Sequence, residues 1–167
     1  MSTPEHKQLI WNLIKDINVG MLVTKERASD DSMRARPMHL VQDEYDNTLY
    51  FYTPRDAAKV FEIQQDRDVC ITFSDPQNDV YVSLTGTARL TEDKALIDKY
   101  WNDWVAAWFE DGKDDPRLAM LAVKINKGEH WDTKESKVVQ MLEIAEASDS
   151  KGSTPDYGEH DKFGVSR

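Results

Sequence analysis

The sequence predicts a mainly β fold: a closed or split antiparallel barrel of six or seven short strands with flanking helices. Between about residues 20 and 132, runs rich in β-branched and aromatic residues alternate with turn residues, as they do in all-β sheets. Only two or three short helical patterns interrupt these runs, which argues against a parallel α/β sheet. With 167 residues and 40% apolar content, the chain can bury one hydrophobic core.

The charge of the chain argues against nucleic acid and membrane surfaces as main partners. There are 31 acidic and 21 basic residues, giving a formal charge of -10, which repels phosphate backbones and anionic lipid. Any anionic ligand must therefore meet a local basic cluster. The amino terminus lacks the pattern of a signal peptide, and no window approaches the roughly 18 apolar residues of a membrane span. We expect a cytoplasmic protein.

Strands are predicted from alternating and β-branched runs at residues 21–25, 33–42, 48–53, 69–74, 80–90, 118–125 and 129–132. Pro37 cannot donate a ladder hydrogen bond, so its strand is predicted to be an edge strand or to be bulged there. Gly86 indicates a bulge or bend in a long strand. A turn is predicted at 126–128, and Cys70, within an apolar run, is predicted to be a small core residue.

An amphipathic helix is predicted at the amino terminus, where Thr3 and Pro4 have the residue types of a helix start. Its apolar face consists of Leu9, Ile10, Leu13, Ile14 and Ile17. Asp56 is predicted to cap a helix over 57–65, and Thr91 a helical region that runs to Phe109.

The end of the chain has a different character from the rest. Thr133 is predicted to cap a last helix, and residues 148–167 are polar and unpatterned, which is typical of a disordered tail. We therefore predict one domain over residues 1–147, followed by that tail.

Two stretches could form an anion site. Arg34 and Arg36 are two residues apart, so their side chains lie on one face of a strand, and a guanidinium matches a phosphate monoester well. In the second stretch, residues 51–59, a strand leads through a polar turn into a helix with Lys59 in its first turn. Free N–H groups at a helix start favour anions. Taken singly, each stretch is equally consistent with solvated or paired charges.

Other kinds of site were considered from the residues. His39 and His130 do not stand at a recognised metal-ligand spacing, so no metal site is predicted. The sequence contains no nucleophile elbow, P-loop or dinucleotide fingerprint, which removes the usual signals of hydrolases, nucleoside triphosphatases and Rossmann dehydrogenases.

The order of four motifs resembles the pyridoxamine 5′-phosphate oxidase-like FMN-binding split barrels. The motifs are RPMHL from residue 36, FYTPRDAAK from 51, VYVSLTGTA from 80 and HWD from 130. The tryptophan-rich segment 100–109 and the sequence around 112–116 are most similar to the bacterial general stress protein class within that family. No single motif suffices; the combination is specific.

The resemblance implies a set of cofactor-binding residues. Arg36 and Lys59 would contact the FMN phosphate, and the strand that follows Arg36 would run along the flavin. The full set is Arg36, Pro37, Met38, His39, Leu40, Tyr52, Thr53, Ala58, Lys59, Tyr81 and Trp131. Tyr81 and Ala58 depart from the residue types that the family often has there.

The resemblance also implies a homodimer with the flavin in a groove between subunits. Our leading hypothesis is that the protein is an FMN-dependent oxidoreductase that takes a hydride from a donor such as reduced nicotinamide and acts in a stress response. The alternative is a non-enzymatic flavin-binding protein that stores FMN or senses redox state. FAD, a deazaflavin or haem are further cofactor candidates, and haem would require His39 or His130 as axial ligand. True pyridoxamine-phosphate oxidases end in a strand that carries basic residues for the substrate phosphate, whereas here Trp131 is followed by Asp132, Thr133, Lys134, Glu135 and a polar tail. Pyridoxal phosphate synthesis is therefore not expected.

Overall fold

We describe a computed structural model, which covers residues 4–26, 32–132 and 159–164. The strands are β1 Val19–Lys25, β2 Met33–His39, β3 Thr48–Pro54, β4 Asp68–Asp75, β5 Val80–Thr91, β6 Leu118–Asp132 and β7 Glu159–Gly164. The helices are α1 Pro4–Ile14, α2 Ala58–Gln65, α3 Lys94–Tyr100 and α4 Asp103–Ala106, with a 3-10 turn at Gly112–Asp114. Among these helices, none combines the length and the apolar character needed to cross a membrane.

The seven strands form one antiparallel sheet in the order β2-β1-β4-β5-β6-β3, and β7 pairs with β6. Side chains alternate between a buried inner face and a more exposed outer face. Leu22, Ile71 and Leu84, for example, lie in register on the inner face and are fully buried. The mainly β split-barrel prediction is confirmed.

The barrel is open between its two end strands. In the described part of the chain, β2 pairs with β1 and β3 pairs with β6, so each has one free edge. We call the gap between β2 and β3 the split. The edge position predicted for the strand containing Pro37 is confirmed, and a proline is tolerated there because its missing N–H belongs to a free edge.

The carboxyl half of the sheet differs from the prediction at one point. The predicted turn at 126–128 is wrong, because β6 is continuous through it. Gly86 faces Ile125 while Thr85 faces Lys127, so Asn126 is the extra residue of a β-bulge. The bulge predicted at Gly86 is confirmed: a Cβ there would lie 2.2 Å from the Lys124 carbonyl oxygen.

β7 lies inside the tail that was predicted to be disordered, and for these six residues the prediction differs from the structure. The reason is the length of β6. β3 pairs with β6 only as far as Lys124, and β7 pairs with the same strand from Lys127 to Asp132. A second strand therefore satisfies backbone groups that β3 leaves open.

Two of the helices pack on strands in the middle of the sheet, α1 on β5 and α2 on β1 and β5. In α1, Ile10 and Ile14 are buried in the core, which confirms the amphipathic prediction. The helix caps differ from the predicted ones. Asp56 was predicted to cap α2, but the N-cap residue is Ala57, which makes no side-chain hydrogen bond. Asp93, not Thr91, caps α3. The helical region predicted from Thr91 to Phe109 is divided into α3 and α4, and the helix predicted after Thr133 lies outside the described residues.

Candidate functional site

A cavity of about 300 Å³ opens at the split. β2 and β3 form two of its sides, the start of α2 forms a third, and α4 with the residues after it covers it. It is lined by Pro37, Met38, His39, Tyr52, Pro54, Lys59, Trp104, Val105, Trp108 and Phe109. Its volume lies at the lower end of the range for small-molecule sites, which is about 300 to 1,000 Å³.

Lys59 is the basic side chain of this lining. It is half-buried in the first turn of α2, and within residues 4–26 and 32–132 its ammonium forms no hydrogen bond or ion pair. Burial lowers the pKa of Lys59 from its ordinary value, Arg36 and Arg34 lower it further, and Glu62 partly offsets them. In the first turn of α2, Val60 N donates to Ala57 O at 3.0 Å, whereas the N–H groups of Ala58 and Lys59 have no backbone partner in the described ranges and no side-chain cap. A cation and free N–H groups therefore stand together.

Arg36 lies beside Lys59 in a closed ring of hydrogen bonds. Its Nη1 donates to Thr24 Oγ1 at 2.5 Å and its Nη2 donates to Glu62 Oε2 at 2.7 Å. Thr24 Oγ1 in turn donates to Glu62 Oε2 at 2.5 Å. The side chains of Arg36 and Glu62 are 13% and 6% exposed. This ring, which we call the Arg36 cluster, satisfies a buried carboxylate that would otherwise be costly.

The free edge of β2 presents backbone groups to the split. Leu40 N donates to Asn18 O at 2.9 Å, and in an antiparallel pair only alternate residues bond to the same neighbour. Met38 and Leu40 therefore direct their backbone groups toward β1, while Pro37 and His39 direct theirs away from it. The backbone groups that β2 directs toward the cavity are therefore the His39 N–H and the carbonyls of Pro37 and His39.

Aromatic side chains cover the opposite side of the cavity. The His39 and Trp104 rings are 4.4 Å apart, and Trp104 and Trp108 are 5.9 Å apart. Trp104 is 46% and Trp108 is 66% exposed. Tyr52 donates its hydroxyl to Ile97 O at 2.6 Å, and burial raises the pKa of Tyr52 above its ordinary value. Exposed apolar rings at a cavity mouth are typical of ligand-binding surfaces.

Tyr81 and Trp131 lie elsewhere in the same chain. They face each other across β5 and β6 on the outer face of the sheet, where Tyr81 is 39% exposed. From β2 to β5 there are three strand spacings of about 4.8 Å, or roughly 14 Å. Neither residue lines the cavity of its own chain.

The amino-acid sequence identifies the family to which this fold and cavity belong. The sequence model described as pyridoxamine 5′-phosphate oxidase like matches residues 5–156. The chain belongs to this family. It is similar to general stress protein 26 of Bacillus subtilis, with 30% identity over 127 residues, which is 74% of this chain and 86% of that protein.

Two solved structures agree with the fold. The general stress FMN/FAD binding protein of Xanthomonas citri is 32% identical, with a TM-score of 0.68 over 80% of this chain and 93% of that one. A protein of Jannaschia sp. CCS1, provisionally described as a general stress protein 26, is 24% identical, with a TM-score of 0.69 over 98% of this chain and all of that one. The second likeness bears on the fold alone.

The structure brings together part of the residue set predicted for this family's cofactor. Pro37, Met38, His39, Tyr52 and Lys59 line the cavity, and Arg36 lies next to Lys59. The remaining predicted residues do not line it. They are Leu40 and Thr53, both buried, Ala58, exposed at the start of α2, and the outer-face pair Tyr81 and Trp131.

Sequence reasoning missed Glu62 and Thr24, and placed the tryptophans only in general terms. Glu62 had a signal, because it lies between the buried residues Val60 and Ile63 of α2, and a carboxylate on an apolar helix face requires a partner. For Trp104 and Trp108, the sequence contained no signal of a role at the cavity other than the high tryptophan content of the segment. Within residues 4–26, 32–132 and 159–164, no group of three or more His, Cys, Asp or Glu could hold a metal ion.

Proposed function

We propose that this protein binds FMN in the cavity at the split, with the phosphate held by Lys59, Arg36 and the start of α2. The observation that carries the proposal is Lys59, a half-buried cation in a cavity with no ion-pair partner among the described residues around it. A phosphate would supply the missing negative charge and accept from the α2 N–H groups. The donors present fit a phosphorylated ligand.

The rest of the lining fits a planar ring that has both polar and apolar surface. The backbone of Pro37 and His39 offers one donor and two acceptors along a free strand edge. The apolar surfaces of Met38, Trp104 and Trp108 are available to a ring face. A flavin combines a hydrogen-bonding edge with flat aromatic faces, which matches this division.

Flavin is favoured over the other cofactor candidates. The Xanthomonas citri protein, to which this chain is 32% identical, is an FMN/FAD binding protein. FMN is proposed over FAD because the cavity is small. For haem, His130 is 1% exposed on the inner face of the sheet, so His39 would be the axial ligand, and the His39 ring already packs against Trp104 at 4.4 Å.

We propose that the bound flavin supplies oxidation and reduction chemistry for a small molecule during a stress response. The chain's own residues would bind and orient the cofactor, and Trp104 of α4 together with Trp108 after it would exclude water from one side. The alternative is a protein that only binds the flavin, for storage or redox sensing. Both rest on the same residues.

We further propose that the working unit is a homodimer whose copies meet through the outer face of the sheet. Across β2, β1, β4 and β5 this face carries uncharged side chains over several rows of the sheet. They include Ala35, Pro37, Val19, Met21, Val23, Cys70, Thr72 and Ser83. Cys70 is therefore an outer-face residue, not the core residue that was predicted. Such a surface is typical of an interface.

The dimer would also explain Tyr81 and Trp131. In one chain two strands separate Tyr81 from β2, a distance of roughly 14 Å, and three strands separate Trp131 from it. A second copy packed against the outer face could bring its own Tyr81 and Trp131 to the first copy's cavity. The family's cofactor residues would then come from two chains.

The decisive experiment is the visible absorption spectrum of the purified protein before and after addition of FMN. Flavin absorption that remains with the protein through gel filtration would support the proposal. A colourless protein that does not retain added FMN would overturn it. Turnover of a reduced nicotinamide by the loaded protein would then favour the oxidoreductase, and tight binding without turnover across donors would favour the binding protein.

A further inference from the structure

We infer that Glu62 is a positioning residue for phosphate recognition: it holds the Arg36 guanidinium so that Arg36 distinguishes FMN from a flavin without phosphate. The inference rests on the proposed function, because it concerns the same phosphate site. Glu62 itself is not proposed to touch the ligand. Its carboxylate acts through Arg36.

The first argument is the geometry of the Arg36 cluster. Glu62 Oε2 accepts from both Arg36 Nη2 and Thr24 Oγ1, and Thr24 Oγ1 accepts from Arg36 Nη1. Two hydrogen bonds from different nitrogens fix both the position and the plane of a guanidinium. Thr24 and Glu62 therefore hold the Arg36 guanidinium along one edge of its plane.

The second argument is what remains free on Arg36. A guanidinium has five N–H donors, and the cluster uses two of them. The donors left over lie in a plane that Glu62 and Thr24 have already set. Because the side chain is only 13% exposed, it cannot satisfy those donors freely with solvent. A phosphate beside Lys59 would accept from them without requiring Arg36 to reorganise.

The third argument is the local balance of charge. The charges of Arg36 and Arg34 both act on Lys59, and Glu62 is the acid that offsets them there. Without Glu62, Arg36 would be pushed away by Lys59 toward the open edge of β2. The carboxylate thus keeps a second cation close to the first, where one phosphate can meet both.

Two other roles for Glu62 make different predictions. If the pair with Arg36 only stabilises the fold, its loss would weaken the binding of all flavins alike. If Glu62 mainly repels the phosphate, its removal would strengthen FMN binding. Positioning alone predicts a selective loss of affinity for the phosphorylated ligand.

The test measures the dissociation constants of FMN and riboflavin for the full-length protein and its variants by fluorescence titration. We expect the wild type to prefer FMN. Glu62→Ala should lower FMN affinity on the order of tenfold, the value of one charge-assisted hydrogen bond, and leave riboflavin affinity within about twofold. Glu62→Gln keeps an acceptor oxygen, so its FMN affinity should lie between that of the wild type and that of Glu62→Ala. Gln64→Ala, an exposed change on the same helix, is the matched control.

Thermal unfolding of each variant separates folding from recognition. If Glu62→Ala does not fold, Glu62→Asp keeps the charge but moves the carboxylate back by one methylene, and its FMN preference should also fall. An unchanged ratio of the two affinities, or tighter FMN binding, in the folded Glu62 variants overturns the inference while leaving the flavin site intact. A wild type that binds FMN and riboflavin equally overturns the phosphate assignment and this inference with it.

Discussion

The split and the outer face of the sheet are produced by the same strands but have opposite chemistry. On the inner side, near the split, Arg36, Glu62 and Lys59 lie close together under α2. On the outer side, Met21 and Cys70 belong to a face without charge over several rows. Under the proposed function, strand alternation would separate two roles in one sheet: the charged cluster would serve a ligand, and the uncharged outer face would meet a second copy.

This contrast makes different predictions for the two regions. A charge introduced on the outer face should disturb assembly, and a charge removed at the split should disturb ligand binding. Because the proposed dimer would complete the cavity with residues of the second copy, loss of assembly should also weaken flavin binding, whereas loss of charge at the split should leave assembly intact.

The largest effect is expected from Met21→Glu on the outer face. Met21 is 40% exposed and pairs with Pro37 and Thr72 on its two sides. Like charges brought together in a two-fold interface cost several kcal/mol, so the dimer dissociation constant should rise by more than about 100-fold. Analytical ultracentrifugation would measure it. Gln64→Glu, which adds the same charge on α2, should leave the dimer intact, and a dimer that persists in Met21→Glu would place the interface elsewhere.

The next effect concerns the Arg36 cluster. Arg36→Ala leaves the carboxylate of Glu62, 6% exposed, without its cation, and should lower the free energy of unfolding by about 3 kcal/mol. Urea denaturation gives this value. The double variant Arg36→Ala with Glu62→Ala should be less destabilised than Arg36→Ala alone, because the unpaired buried charge is gone. Equal stability of Arg36→Ala and wild type would show that the pair contributes nothing to the fold.

Lys59→Ala should affect binding without affecting folding. Its ammonium makes no ion pair within the described part of the chain, so the free energy of unfolding should change by less than about 0.5 kcal/mol. FMN affinity should fall by roughly thirtyfold for the loss of one charged contact with the phosphate, while riboflavin affinity stays close to that of the wild type. Lys94→Ala on α3 is a matched surface control. Retention of full FMN affinity would remove Lys59 from the phosphate site.

The smallest effect is a pH dependence of FMN binding. The pKa of Lys59 is lowered in the free protein, and a bound phosphate would raise it again. Between these two pKa values the complex holds more protons than the free protein, so affinity should fall as pH rises through the free-state pKa, by up to about tenfold. Titrations from neutral pH toward 10.5, the ordinary lysine value, would measure it. Lys59→Ala should lack this slope.

Much of the fold was predictable from local pattern. Alternation identified the strands, Pro37 identified an edge, and Gly86 identified a bulge, because each depends on properties of a few neighbouring residues. The caps were less predictable. Asp56 has the residue type of an N-cap, but Ala57 occupies the N-cap position of α2, because the geometry of the preceding turn places the start of the helix at Ala58.

The long-range pairings were not predictable in the same way. The continuity of β6 through Asn126 depends on its pairing with β5, and β7 exists because β6 extends beyond β3. A local pattern cannot indicate either, since a bulge and a turn use similar residues and a strand edge is defined by its neighbours.

For the site, the sequence by itself determined the residue types that could bind a phosphate, Arg36 and Lys59, and the order of motifs that indicates the family. Only the tertiary structure decided that Arg36 is held by Glu62 and Thr24, which are 26 and 12 residues away, and that Tyr81 and Trp131 do not line the cavity of their own chain. The physical reason is that charge and alternation are local properties of a chain. Which charges become neighbours depends on how the sheet closes and on where α2 packs.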